Sequence, residues 1–146
     1  MTNTQPNQEN VELRLRNLLT VWMALLMSIG LYFGITLVVR SSDIEPNPTL
    51  SLTLVGIGIL TVLTAFLIKN RLVSRAVEKR QVRMVQHGYI VSWAVNEVAA
   101  MLGLLDHLLT ANRYYYLLFI VAAVGMLLLL PRREPVENAA FKSGTF

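Results

Sequence analysis

The chain has 146 residues, 54% of them hydrophobic and 15% charged, with a net charge of +4 and a mean hydropathy of +0.51. Soluble domains carry about a quarter charged residues, so the composition argues against a water-soluble globule and for a small polytopic membrane protein. There is no cysteine, which excludes disulfides, thiolate metal sites and cysteine nucleophiles.

Residues 1–17 read as a polar N-terminal tail, and the first ten show no hydrophobic periodicity, so they are expected to be unstructured. Residues 18–39 form an uncharged apolar run. It exceeds the roughly 7–15 residues of a signal-peptide core and lacks a small-x-small cleavage site, so it is expected to be retained. Glu45-Pro46-Asn47-Pro48 makes a turn-rich connection, since each proline disfavours helix at the residue before it. A second uncharged run covers 50–68, a basic segment covers 69–86, and a third apolar run covers 89–109. Thr110 to Arg113 is a tight turn, and the fourth run, 114–130, stops at Pro131 before a tail of 131–146 with no visible fold. A helix crosses the hydrocarbon core with roughly 17–25 residues. The fold class predicted is therefore all-α, a polytopic membrane protein of four transmembrane helices over 18–130.

Eleven of the thirteen lysines and arginines fall in the N-terminal tail, the 69–86 segment and the C-terminal tail, leaving only Arg40 and Arg113 for the opposite side. The positive-inside rule then puts both termini and the central loop in the cytoplasm of a multi-pass inner-membrane protein. Tyr114, Tyr115 and Tyr116 on the outer side, with Tyr89 and Trp22 on the inner, are placed at headgroup level. Arg71, Arg75, Lys79, Arg80 and Arg83 interleave with Leu72, Val73, Ala76, Val77 and Met84 near helical spacing. Two readings stand: an amphipathic surface that touches lipid headgroups or a partner, or cytoplasmic extensions of the second and third spans. Gly30 and Gly34 form a GxxxG pair, and Gly56 and Gly58 sit in the second span. With Ala99 and Gly103 they are candidate helix-packing positions, because small residues let helices approach in lipid.

The third run carries the chemistry. At about 100° per residue, Ser92, Asn96, Ala99, Gly103 and Asp106 share one stripe, with Glu97 beside it, while Val91, Val95, Val98, Leu102 and Leu105 take the other face. The polar stripe is expected to face other helices and the valine–leucine face lipid. An acid at a helix centre costs roughly 2.5–3.5 kcal/mol on insertion scales, comparable with protonating an ordinary carboxylate at neutral pH. No Lys or Arg lies in the hydrocarbon part of any span. Glu97 is thus expected to bind H⁺ or Na⁺ with Asn96 and Ser92, or to serve as a hydrogen-bonding strut; Ser28, Thr61 and Thr64 are further candidate partners. Asp106 and His107 are expected at the outer rim, solvated or paired with Arg113. One Asp-His pair is a poor metal site, and no Ser-His-Asp pattern or phosphate loop exists, so neither enzyme activity nor a cofactor or metal is expected.

The stretch "GYIVSWAVNEVAAMLGLLDHLL", residues 88–109, resembles the carboxylate-bearing second helix of the rotary ATP synthase c subunit. Glu97 matches the ion-carrying acid, Ala99 and Ala100 the small residues after it, and Gly103-Leu104 the Gly-Leu. Gly56 and Gly58 in the preceding span and Arg80-Gln81 in the link extend the likeness over residues 50–109. The resemblance implies a helical hairpin with a cytoplasmic loop and a protonatable Glu97, without carrying over a rotary role.

The functional expectation is a small membrane protein with a reversibly protonated Glu97, self-associating or joined to other membrane subunits, in contact with lipid and not nucleic acid. The alternative is a non-transporting scaffold or assembly subunit that docks a partner through its basic loop.

Overall fold

Prolines mark the starts of three helices and the stop after a fourth. A computed structural model describes residues 5–39, 47–79, 81–110 and 113–141, with side chains between residues 11 and 138. Its secondary structure is helical throughout: α1 Gln5–Val38, α2 Pro48–Glu78, α3 Val82–Thr110, α4 Tyr116–Leu128 and α5 Arg133–Phe141. Pro6, Pro48 and Pro135 lie in first turns, where a missing N–H costs nothing, and Pro131 lies between α4 and α5. Asn47 caps α2, its side chain accepting from Leu50 N at 3.0 Å.

Each long helix buries one stripe at alternating steps of four and three residues. In α3 the stripe is Val85, Tyr89, Ser92, Asn96, Ala99, Gly103, Asp106 and Thr110, all buried. In α1 it runs from Val11 through Leu18, Trp22 and Ile29 to Thr36, and in α2 from Ser51 through Gly58, Val62 and Ala65 to Ala76. A period of 3.5 keeps one seam of a helix against its neighbours. The opposite faces hold exposed Met27, Leu31, Leu52, Leu60, Leu67 and Met101. So much uncovered apolar surface suits lipid rather than water.

The helices alternate in direction. Asn47 N donates to Thr110 O at one end of the α2–α3 hairpin, and Lys69 Nζ lies over the Tyr89 ring toward the other. Along α1 and α3 the contacts Arg14–Gln86, Tyr32–Glu97 and Val39–His107 rise together, so these two run parallel. Gly103 against Phe119, Asn96 against Ala122 and Trp93 against Leu129 make α4 antiparallel to α3.

Three helices are long and apolar enough to cross a membrane: Val11–Val38, Pro48–Glu78 and Val82–Thr110. The fourth apolar run gives a shorter helix than expected. α4 has 13 residues, about 20 Å at 1.5 Å per residue, because residues 113–115 turn before it and Leu129–Leu130 leave helix ahead of Pro131.

Three segments read as tail or loop are helical. The described part of the N-terminal tail continues α1, which seats Val11 in the core. The 69–86 segment is mostly the adjoining ends of α2 and α3, which form the most extensive helix pair in the bundle; it is helical, as both readings of it have it. Arg80 and residues 40–46 lie outside the described residues. The C-terminal tail forms α5, whose Val136 is fully buried against α1, α2 and α3.

Candidate functional site

The predicted polar stripe of α3 faces inward, but its members do not converge. Ser92 Oγ donates to Gly88 O one turn back at 2.6 Å. Asn96 Nδ2 donates to Ala122 O of α4 at 2.8 Å, and its Oδ1, fully buried, has no hydrogen-bond partner among the described residues. Neither side chain is bonded to Glu97, which points to the other flank. Within the protomer the expected Glu97–Asn96–Ser92 set is not brought together: one step along a helix rotates a side chain by about 100°, which sends Asn96 to α4 and Glu97 to α1. Thr61 and Thr64 bond their own helix at Gly58 O and Leu60 O.

Glu97 is half-buried, and α1 supplies its partners. Ser28 Oγ and Tyr32 OH, one turn apart, both donate to the same carboxylate oxygen, Oε1, the tyrosine at 3.2 Å. Ser28 Oγ also lies 2.7 Å from Leu25 O of its own helix. Ser28 was among the candidates from sequence; Tyr32 was not. The missed signal was the four-residue spacing of Ser28 and Tyr32 in an uncharged run, which puts two hydroxyls on one helix face.

Around this site α4 is held by indoles. Trp22 Nε1 donates to Met126 O and Trp93 Nε1 to Leu129 O, each at 2.9 Å. Arg132 N donates to Tyr89 OH at 3.3 Å. Carbonyls at a helix C-terminus lack intrahelical partners, and here buried side chains of α1 and α3 satisfy two of them. Trp22 and Tyr89 thus face into the bundle. Tyr114 and Tyr116 are exposed, while Tyr115 packs on His107 at 4.4 Å between ring centroids.

Asp106 is fully buried, not solvated, and accepts from Thr110 Oγ1 at 2.7 Å. His107 Nε2 lies 2.8 Å from Val39 O, tying the end of α1 to α3. Of the expected packing residues, Ala99 is buried, Gly58 meets Leu118, and Gly103 meets Leu118 and Phe119. Gly30, Gly34 and Gly56 have nothing within 4 Å of an added Cβ, so they mark no helix contact inside the protomer. Gly88 against Leu72 and Val73, and Gly125 against Asn96 and Val62, are close approaches that the sequence did not single out. The basic side chains Arg71, Arg75, Lys79 and Arg83 are exposed at one end of the bundle.

Compared with protein-family models, curated proteins and solved structures, the chain matches none.

Proposed function

We propose that the protein is a multi-pass inner-membrane protein with four crossings and cytoplasmic ends, in which Glu97 reversibly binds a proton between α1 and α3. The observation that carries this reading is the position of Ser28 Oγ, within reach of both Glu97 Oε1 and Leu25 O. A hydroxyl has one proton to give and can accept as well. With Glu97 ionised, Ser28 and Tyr32 both donate to it. With Glu97 protonated, its O–H donates to Ser28 Oγ, and Ser28 turns its own proton to Leu25 O. Both charge states are satisfied by reversing hydrogen bonds, without moving a helix. An acid serving only as a strut would need one state.

The fourth crossing is supported by the apolar surface of α4, where Leu117, Ile120, Val124, Leu127 and Leu128 are exposed, and by its antiparallel course beside α3. The cytoplasmic assignment is supported by the gathering of basic residues at one end. In this reading the likeness to the c-subunit hairpin extends to the carboxylate alone, because α1 covers the face that bears Glu97.

A hydrophobic carbodiimide, which reacts with protonated carboxyls in lipid, tests the site. Glu97 should be labelled in liposomes, faster as pH falls, and Ser28→Ala should change the pH at which labelling is half-maximal. Protection by Na⁺ would make the bound ion Na⁺ instead of H⁺. Labelling that is absent at every pH would overturn the proposal.

A further inference from the structure

At the basic end of the bundle a cavity of about 430 Å³ opens between α1 and α3, within the roughly 300–1,000 Å³ typical of small-ligand sites. Its lining changes character along the helices. Leu18, Val21 and Ile90 form the deeper part, and Asn17, Gln86, His87 and Arg83 lie toward the basic end. A second hollow shares Arg83 and adds Arg14. Arg14 Nη1 donates to Gln86 Oε1 at 3.4 Å, which holds this guanidinium between the two helices. Among the described residues no carboxylate lines either hollow.

We propose that this cavity binds one phospholipid with an anionic headgroup. Arg83 and Arg14 hold its phosphate, His87 and Asn17 offer further donors, and the acyl chains pass Val21 and Ile90. Three observations support it. The charge is complementary: two guanidiniums, the side chains best suited to phosphate, stand beside the opening. The length matches as well. From Ile90 to Arg83 is seven residues, about 10 Å along a helix, enough to span a headgroup layer of about 5–8 Å. Finally, Val21 and Ile90 are 37% and 39% exposed, and such apolar walls serve a lipid tail but not a free anion. The inference rests on the membrane-spanning reading of α1 and α3 and is independent of Glu97.

The test uses the full chain in non-ionic detergent, with bound lipid counted by native mass spectrometry and the thermal midpoint followed in parallel. One phosphatidylglycerol per chain should bind saturably and raise the midpoint, as any ligand selective for the native state does. Phosphatidylcholine of the same acyl chains offers the same phosphate but brings a quaternary ammonium beside Arg83 and Arg14, and this like-charge repulsion should weaken its binding about tenfold; inorganic phosphate should leave the midpoint unchanged. Arg83→Gln should weaken phosphatidylglycerol binding about tenfold, the scale of a lost charge-assisted hydrogen bond. Asn17→Asp, which adds a carboxylate to the lining, should weaken it at least as much. Arg71→Gln removes the same charge from α2, outside the cavity, and should bind as the unaltered protein does. Equal loss in Arg71→Gln and Arg83→Gln would replace the site with diffuse charge attraction. Equal binding of phosphatidylcholine, or a midpoint shift with phosphate alone, would also overturn the proposal. Glu97→Gln should leave all these readouts unchanged, which separates failure here from failure of the proton-binding reading.

Discussion

Trp93 of α3 donates its indole N–H to the backbone carbonyl of Leu129, just past the end of α4, at 2.9 Å. The ring is fully buried, so water cannot replace it. Trp93→Phe should therefore leave the Leu129 carbonyl unsatisfied and cost about 1–3 kcal/mol. The measurement is thermal or denaturant unfolding in mild detergent. Trp22→Phe, which frees Met126 O, should show a loss in the same range. Unchanged stability in both would mean that α4 does not depend on its indole caps.

The glycines divide into two groups by what surrounds them. A side chain at Gly103 would press on Leu118 Cβ and Phe119 Cε2, each 3.1 Å from the new Cβ. At Gly125 it would strike Asn96, which cannot turn away without losing its bond to Ala122 O. Gly103→Ala and Gly125→Ala should each cost about 1–3 kcal/mol, the usual penalty of overpacking. Gly30→Ala and Gly34→Ala meet open space and should leave the protomer's unfolding midpoint unchanged. A shift in oligomer size with those two would place the GxxxG face between copies of the chain.

How far the sequence could be read depended on whether a property belongs to one helix or to two. The inward stripe of α3 was legible because burial recurs every three or four residues, and Ser92, Asn96, Ala99, Gly103 and Asp106 are all buried. The partners of that stripe were not legible, since they depend on which helix lies beside each face. Asn96 and Glu97 are neighbours in sequence, yet they bond to α4 and α1 respectively. That the rings of Trp22 and Tyr89 turn inward, to Met126 O and Arg132 N at the end of α4, was likewise not legible in either helix alone. The helical ends of the 69–86 segment were visible in its apolar spacing. The docking of α5 through Val136 had no periodic signal in nine residues.

Topology follows from the alternating helices and the charge count. Reporters fused after Phe146 and inserted at Gln81 should both read cytoplasmic, and one inserted at Pro46 should read external. If α4 lies on the membrane instead of crossing it, the reporter after Phe146 will read external while the one at Gln81 stays cytoplasmic.

Asn47 closes the first turn of α2 with its side chain. Asn47→Ala should cost about 1 kcal/mol, the typical value of an N-cap, read as a lower unfolding midpoint. Asn47→Asp keeps the acceptor and should retain most of the stability.

The most direct test of the proton-binding reading is infrared difference spectroscopy of the carboxyl stretch in liposome-reconstituted protein, titrated up and down in pH. The reading predicts a protonated-carboxyl band that appears and disappears reversibly, is missing from Glu97→Gln, and shifts in frequency in Ser28→Ala as its hydrogen-bond partner is removed. Glu97→Gln should remain folded, with an unchanged helical circular-dichroism signal. A Glu97 band that stays constant across the whole range would contradict the account and make the residue a fixed strut between α1 and α3.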